Sequence, residues 1–231
     1  MRGLGSLVER LRECGHLLQV ALDFTDLRDA VRIGSLTSLG PAVILEAGTP
    51  LIKSEGMKSV DILRSLPGRH LVMADTKTAD VGGLEAKLAF EHGADAMSVL
   101  AASSEETIKE AVREAESVGK DVYVDLIGFT ELDSWLKKAK GAGAHVAVIH
   151  IGIDVQRALG ITAAQATDIV RRAKDVFGGP VAVAGGIKPS DVSALASAGA
   201  DIIIIGSAIT KSSDPAAAAK AALDGLRPRC Q

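Results

Sequence analysis

The sequence predicts a (β/α)8 TIM barrel, in which eight parallel strands alternate with helices and close into a cylinder. Eight short apolar runs rich in β-branched residues recur along the 231-residue chain, and segments with helical periodicity separate them. The runs are almost continuously hydrophobic, which is typical of strands that are covered on both faces of a parallel sheet. Strict alternation of strand and helix indicates an α/β fold, and eight units are the number that closes a barrel.

The predicted strands are, in chain order, residues 17–24, 42–48, 70–76, 95–101, 121–128, 145–152, 180–186 and 201–206. Residues 3–14 precede the first strand, and we expect them to form a short helix that closes the bottom of the barrel. A doubly wound open sheet is the alternative, but no G-x-G-x-x-G motif follows the first strand. No linker or low-complexity tract interrupts the pattern, so we expect a single domain over residues 1–231. The polar connection 152–162 is expected to cover a bound substrate.

Composition limits the functional classes. The net charge is −3 with both signs interspersed, which does not favour a nucleic-acid or membrane-surface partner. No apolar run reaches the roughly 18–20 residues that a membrane span needs. Cys14 and Cys230 lie near opposite ends of the chain, and two cysteines are no disulfide framework. We therefore expect free thiols in a reducing, cytoplasmic compartment.

The run ADTKTAD, residues 74–80, concentrates charge at the end of the third predicted strand. Burying charges beside a core costs free energy unless they pair with one another or hold a ligand. Residues two apart in a strand point to the same face, so Asp75 and Lys77 are expected to lie side by side. Asp80 falls just past the strand. The cluster indicates a functional site at the C-terminal end of this strand.

Polar residues end other predicted strands as well, where the catalytic groups of such barrels lie. A single aspartate there most often caps the next helix, and a single histidine most often belongs to the core. Convergence of several such residues on one rim favours an active site. The further candidates are Asp23, Glu46, Asp125 and His150, from strands one, two, five and six.

Two ligand sites are predicted at this rim. Carboxylates without a cysteine or histidine cluster suggest a hard metal, so Glu46 and Asp75 are candidate ligands of Mg²⁺, with Mn²⁺ as an alternative ion. Zinc is disfavoured because no three nitrogen or sulfur ligands converge. Barrels often bind phosphate after strands seven and eight, and the residues there are Gly185, Gly186, Gly206 and Ser207. The simpler interpretation is that glycine only ends these strands for steric reasons.

These segments together resemble a known family. They are VALDF, EAGTPLIKSEG, ADTKTAD, VDLIG, VIHIGID, VAGGIK and IIIIGSAIT. From about residue 17 to 220 the chain resembles the orotidine 5′-monophosphate decarboxylase suprafamily, whose hallmark is D-x-K-x-x-D after the third strand. The E-A-G-T-P run that contains Glu46 is similar to the metal-using branch, which comprises 3-hexulose-6-phosphate synthases and 3-keto-L-gulonate-6-phosphate decarboxylases.

The choice within this branch depends on few residues. The decarboxylases typically have arginine three residues after the strand-six histidine, where this chain has Ile153 after His150, so it resembles the synthases more. The suprafamily's nucleotide decarboxylases grip phosphate with an arginine beyond the last strand, and none follows Gly206 here. Ser207 departs from the glycine that the synthases typically have at this position.

The resemblance implies a reversible aldol reaction, in which ribulose 5-phosphate and formaldehyde form 3-hexulose 6-phosphate through an enediolate that Mg²⁺ stabilises. Lys77, held cationic by Asp23, Asp75 and Asp80, would stabilise the same charge without forming a Schiff base. The keto-gulonate phosphate decarboxylase is the alternative, and a non-catalytic sugar-phosphate sensor is less favoured.

The resemblance also implies roles for the remaining residues. His150 is the candidate general base, with Asp80 as its competitor. Asp125 is expected to orient substrate hydroxyls or a metal-bound water. In the family, the residue that matches Asp80 reaches the neighbouring subunit's site, which implies a homodimer with shared active sites.

Overall fold

A computed structural model describes residues 5–150 and 163–230. Its strands are all parallel, and each pairs with the next until the last closes on the first. This confirms the (β/α)8 barrel and excludes the open sheet. The strands are β1 (Leu17–Leu22), β2 (Val43–Ala47), β3 (Leu71–Thr78), β4 (Ala96–Leu100), β5 (Asp121–Asp125), β6 (Val146–His150), β7 (Val181–Ala184) and β8 (Ile202–Ile205).

Helices surround the barrel and follow the strands in chain order. They are α1 (Ser6–Cys14), α2 (Leu27–Thr37), α3 (Thr49–Glu55), α4 (Lys58–Ser65), α5 (Gly82–Glu91), α6 (Glu105–Ser117), α7 (Leu132–Gly141), α8 (Ala163–Phe177), α9 (Val192–Ser197), α10 (Ser207–Thr210) and α11 (Pro215–Leu226). None of the helices in the described ranges is both long and apolar enough to span a bilayer. The predicted covering loop, residues 152–162, and the position of Ile153 lie outside the described residues.

Alternate residues of each strand face two separate cores. Outward side chains such as Val72 and Met97 pack against the helices, whereas inward side chains such as Met73 and Tyr123 fill the barrel. Both sets are buried, which explains the continuous hydrophobicity of the strands.

The register of the first three strands brings polar side chains to the top of the barrel. Ala21 of β1 and Met73 of β3 both pair with Glu46 of β2, so all three share one inward level. Asp23 follows Ala21 by two residues, and Asp75 follows Met73 by two. Both aspartates therefore also point inward, above Glu46.

Helix α1 closes the bottom of the barrel, as predicted. Leu7 and Leu11 are buried against the inner core. The backbone N–H groups of Leu7 and Val8 donate to Asp121 Oδ2 at 2.9 and 3.1 Å. A carboxylate at a helix N-terminus satisfies N–H groups that have no partner within the helix, so Asp121 anchors α1 to the start of β5.

The prediction of free thiols was wrong. Cys14 forms a disulfide with Cys230, and their Cα atoms are 4.6 Å apart although 216 residues separate them in the sequence. The end of α1 and the C-terminal segment meet below the barrel, where the Arg229 N–H donates to the Cys14 carbonyl oxygen at 2.7 Å. The cysteines therefore no longer support a reducing compartment.

Candidate active site

The C-terminal ends of the strands surround a pocket of about 570 Å³. All of the predicted site residues line this pocket except Asp80. They lie in or directly after every strand of the barrel but β4, and β4 contributes Ser98, which the sequence did not single out.

Lys77 is the centre of the charged network. Its Nζ lies 3.0 and 2.9 Å from the two carboxylate oxygens of Asp75 and 2.8 Å from Asp125 Oδ2. Burial lowers the pKa of Lys77, but the charges of Asp125 and Asp75 and the hydrogen bonds to them outweigh it, so the pKa is raised. Lys77 therefore stays an ammonium ion, as expected for an electrostatic role rather than a Schiff base.

Asp75 is fixed from several sides. Ser98 Oγ donates to its Oδ1 at 2.8 Å, and Thr49 Oγ1 donates to its Oδ2 at 2.7 Å. With the two Lys77 contacts, each carboxylate oxygen accepts two hydrogen bonds. The orientation of this carboxylate is therefore determined by three neighbouring side chains.

Strand β3 leaves its regular pairing with β4 at these residues. Ala74 pairs with Met97 and Thr78 pairs with Val99, so residues 75–77 lie opposite Ser98 alone. Lys77 has a φ of +46°, a left-handed conformation that is uncommon for residues other than glycine. Asp75 and Lys77 are side by side, as predicted, but in an irregular segment rather than a regular strand.

Asp125 joins Lys77 to His150. Its Oδ2 accepts from Lys77 and lies 3.2 Å from His150 Nδ1, and its Oδ1 accepts from the backbone N–H of Ile127 at 2.9 Å. Burial raises the pKa of Asp125, but the hydrogen bond and charge of His150 and those of Lys77 lower it below its ordinary value. The ionised carboxylate of Asp125 is therefore favoured, and it contacts both Lys77 and His150.

Asp23 and Glu46 bring two further carboxyl groups into the pocket. Burial, followed by the charges of Asp75 and Asp23, raises the pKa of Glu46 well above its ordinary value. Burial and then the charge of Asp75 also raise the pKa of Asp23, although Lys77 and His150 oppose this. Gly48 makes room for Asp23, because a Cβ at position 48 would lie 2.2 Å from Asp23 Oδ1.

This donor set fits a hard divalent cation. Within the described ranges no ready-made cluster of three acidic, histidine or cysteine ligands is found, so Glu46 and Asp75 would be two ligands among water and substrate oxygens. A cation there would offset both effects that raise the pKa of Glu46, its burial and the repulsion by Asp75 and Asp23. Gln19 Nε2 donates to Glu46 Oε2 at 2.7 Å, and the Tyr123 hydroxyl donates to Gln19 Oε1 at 3.2 Å, so the glutamate is held from below.

The glycine residues after β7 and β8 line the same cavity as the carboxylates. Gly185 and Gly186 have φ of 108° and 62°, a left-handed backbone that favours glycine. Ser207 begins α10 directly after Gly206. Lys211, one helical turn after Ser207, also lines the pocket, and sequence reasoning missed it.

Asp80 does not join this network within one chain. It is exposed, and its Oδ1 accepts from the backbone N–H of Val81 at 2.8 Å. The charges that raise the pKa of Lys77 come from Asp125 and Asp75. The expectation that Asp80 helps to hold Lys77 cationic is therefore not met by the chain's own Asp80.

Several polar residues of the site were not predicted from the sequence. Gln19, Ser98 and Tyr123 each stand alone in an apolar strand and give no motif. Two of these positions could have been found by counting in steps of two, since Gln19 precedes Asp23 by four positions and Tyr123 precedes Asp125 by two. Ser98 has no predicted residue on its own strand from which to count.

The chain matches the orotidine 5′-phosphate decarboxylase / HUMPS family over residues 16–222. The chain belongs to this family. Membership confirms the resemblance that D-x-K-x-x-D indicated. Relatives within the family show which branch the chain is similar to. The chain is 36% identical to 3-hexulose-6-phosphate synthase of Mycobacterium gastri, over 88% of this chain and 96% of the relative. It is 38% identical to 3-hexulose-6-phosphate synthase of Methylomonas aminofaciens, over 91% and 98%.

Solved structures of the family have the same barrel. A crystal structure of 3-hexulose-6-phosphate synthase superposes with a TM-score of 0.84 at 35% identity, covering 91% of this chain and 99% of the other. A crystal structure of 3-keto-L-gulonate-6-phosphate decarboxylase from Vibrio cholerae gives a TM-score of 0.77 at 28% identity, covering 91% and 97%. Both branches that the sequence suggested are thus represented among structurally similar family members.

Proposed function

We propose that the protein is an aldolase that interconverts ribulose 5-phosphate plus formaldehyde with 3-hexulose 6-phosphate. The observation that carries this proposal is the contact of Lys77 Nζ with Asp75 and Asp125, with His150 beside Asp125, in one pocket. This arrangement offers a fixed positive charge next to a group that can move a proton, which is what enediolate formation requires. The synthase relatives support the substrate assignment.

The proposed steps follow from the residues. His150, oriented by Asp125, removes a proton from the carbon beside the ketone of ribulose 5-phosphate. The resulting enediolate carbon attacks the carbon of formaldehyde, forming one C–C bond as the C=O π bond breaks, and the new alkoxide takes up the proton that His150 removed. The Lys77 ammonium lies beside the negative charge throughout and loses no proton. The reverse reaction uses the same groups.

We also propose that Glu46 and Asp75 would hold a Mg²⁺ or Mn²⁺ ion, which would supply Lewis-acid stabilisation of the enediolate charge. Gln19, Thr49 and Ser98 hold the two carboxylates in place. For the phosphate group, we assign the backbone of Gly185, Gly186 and Gly206, the hydroxyl of Ser207 and the ammonium of Lys211, all of which line the pocket.

We infer a homodimer that shares its active sites, formed through α5. Val81, Leu84 and Leu88 are 54%, 58% and 40% exposed and repeat at helical spacing, so they form an apolar stripe. Asp80 directly precedes this stripe and does not line its own chain's pocket. A second copy packed on α5 would cover the stripe and carry Asp80 toward the partner's pocket.

A second candidate function is the decarboxylation of 3-keto-L-gulonate 6-phosphate. It is favoured by the structural similarity to the decarboxylase from Vibrio cholerae. It would use the same enediolate and therefore the same Lys77 and His150. A protein that binds the sugar phosphate without turnover is the remaining alternative.

An assay with ribulose 5-phosphate, formaldehyde and Mg²⁺ tests the proposal. We expect formaldehyde consumption, its loss in Lys77→Ala, and no change in Lys109→Ala, which removes an exposed lysine paired with Glu105. Glu46→Gln should shift the Mg²⁺ titration to higher concentration. CO₂ release from the keto acid without formaldehyde consumption would favour the decarboxylase instead, and binding without either reaction would favour the sensor.

A further inference from the structure

Three consecutive residues of β3 depend on one residue of β4. The regular ladder stops at Ala74–Met97 and resumes at Thr78–Val99. Residues 75–77 therefore lack the evenly spaced partners of a parallel ladder, and backbone groups buried without a partner cost free energy. Two of the three are the charged residues of the site, so whatever replaces the ladder also determines where those charges lie.

Ser98 supplies the replacement contacts. Its hydroxyl donates to Asp75 Oδ1 at 2.8 Å and accepts the backbone N–H of Lys77 at 2.9 Å. Its carbonyl oxygen accepts from Thr76 Oγ1 at 2.6 Å. A serine hydroxyl has one hydrogen and two lone pairs, so donation to the carboxylate and acceptance from the amide occur together without competition. Ser98 is 1% exposed, and water cannot readily take its place.

The left-handed backbone of Lys77 makes its hydrogen bond to Ser98 more important. A left-handed backbone at a non-glycine residue persists only where the surroundings hold it. Just after Lys77, the Thr78 hydroxyl bonds to Glu85 of α5 on the outer face of the sheet. Ser98 provides the matching contact on the inner face, where the Lys77 N–H would otherwise lack its partner.

We propose that Ser98 is a positioning residue, whose single hydroxyl fixes the Asp75 carboxylate and the Lys77 backbone relative to each other. This inference rests on the proposed function, because the consequence for turnover requires that Lys77 acts on the substrate. Thr49 still holds Asp75 Oδ2 when Ser98 is removed, so the carboxylate would remain but could rotate about that contact. Lys77 would lose the bond that keeps its backbone in the left-handed conformation.

The test compares Ser98→Ala, Ser98→Thr and Ser59→Ala. Ser59 is a matched control: it is fully buried and donates one hydrogen bond, to the Gly56 carbonyl at 2.7 Å, and does not line the pocket. Steady-state kinetics, thermal unfolding and the hydrogen–deuterium exchange of the Lys77 amide are measured for each variant. The amide exchange reports positioning directly and does not depend on which reaction the protein catalyses.

For Ser98→Ala we expect kcat to fall by roughly 10- to 100-fold with a smaller change in KM, as for a misplaced catalytic group. The Lys77 amide should exchange at least about tenfold faster, because its hydrogen bond is lost. Ser98→Thr should restore most of the parent kcat and of the slow amide exchange, and Ser59→Ala should change neither quantity. Both alanine variants should lower the thermal stability.

Two results would overturn the proposal. One is an unchanged Lys77 amide exchange in folded Ser98→Ala. The other is a kcat for Ser98→Ala within about twofold of the parent value. If Ser98→Ala does not fold, Ser98→Cys, whose thiol is a weaker donor, takes its place under the same criteria. A parent protein without aldolase activity would contradict the proposed function, and the amide exchange would still decide the role of Ser98.

Discussion

Asp125 Oδ2 lies 3.2 Å from His150 Nδ1 and accepts a hydrogen bond from Lys77 Nζ at 2.8 Å, so one carboxylate oxygen contacts both side chains. Its other oxygen is held by the backbone N–H of Ile127. A carboxylate on one ring nitrogen orients the imidazole and leaves the other nitrogen for the pocket, as in catalytic pairs generally. In the proposed mechanism, Asp125 therefore links His150, which would move the proton, to Lys77, which would stabilise the resulting charge.

Asp125→Asn should lower kcat by about 100-fold or more, because the amide cannot balance Lys77 or orient a protonated His150. The control is Asp133→Asn, which breaks an exposed ion pair with Arg172 outside the pocket and should leave kinetics unchanged. Steady-state kinetics provide the measurement. An Asp125→Asn variant with nearly normal kcat would exclude Asp125 from proton transfer and charge balance.

Lys211→Ala should raise KM for ribulose 5-phosphate by roughly tenfold with little effect on kcat, because a charge-assisted contact to the phosphate is lost in both ground and transition states. Among the described residues, Lys211 is a pocket-lining lysine without an ion-pair partner, whereas Lys77 is paired twice. Lys220→Ala, which removes an exposed pair with Asp224, is the control. An unchanged KM would show that phosphate binds without Lys211.

Leu84→Glu should convert the proposed dimer to monomers, because it places a charge in the exposed stripe on α5. Light scattering after gel filtration measures the mass, and Leu39→Glu, at a similarly apolar exposed site outside α5, should not change it. Mixing inactive Lys77→Ala with inactive Asp80→Ala should restore about a quarter of the activity, since heterodimers contain one intact site. No recovery would argue against a shared site.

Reduction of the Cys14–Cys230 disulfide should lower the free energy of unfolding by about 5 kcal/mol, since it closes a loop of most of the chain. Thermal unfolding with and without a reductant measures this. The Cys14→Ser/Cys230→Ser variant should match the reduced protein and not respond to the reductant. Turnover at room temperature should be unaffected, because neither cysteine lines the pocket; a loss of kcat would show coupling between the two ends of the barrel.

His70 should make stability depend on pH. Its ring nitrogens contact Ser38 Oγ at 2.6 Å and the Leu63 carbonyl oxygen at 3.0 Å, and burial lowers its pKa from the ordinary value of 6.5. The unfolded chain binds the proton more readily, so this contribution to stability is complete above pH 6.5 and is lost as the pH falls toward the folded pKa.

Urea unfolding at about pH 7.5 and about pH 5.5, on either side of the ordinary histidine pKa, tests this effect. The free energy of unfolding should fall less between these pH values in His70→Gln than in the parent protein. His92→Gln serves as the control, because His92 is only half-buried and pairs with the exposed Asp61. An equal fall in His70→Gln and the parent would mean that other groups set the pH dependence.

The fold and the acidic side of the site could be predicted because strand periodicity is regular. Asp23 and Asp75 extend the inward series that contains Ala21 and Met73, and the register sets them above Glu46. The same reasoning predicted Lys77 beside Asp75, and the contact of 2.9 Å agrees with this, although the segment that forms it is irregular.

The features that sequence reasoning missed depend on irregular or long-range geometry. The left-handed φ of Lys77 and the three-against-one pairing with Ser98 are properties of two strands together, and neither strand encodes them alone. Cys14 and Cys230 meet only because both chain ends pack below the barrel, and cysteine spacing contains no information about that. Lys211 lacks a motif and reaches the pocket through the turn that α10 makes.

The irregular pairing in β3 also leaves unchanged the face of the sheet to which the residues after it point. Between the two regular pairs, β4 has one intervening residue and β3 has three, so β3 gains two positions. An even number leaves the alternation of faces intact, and Thr78 still points outward to Glu85. In a regular strand, successive inward side chains lie two residues apart and therefore at different heights in the barrel. By adding two residues, β3 brings a carboxylate and an ammonium group into direct contact inside the barrel, while Thr78 keeps its bond to the helix that follows.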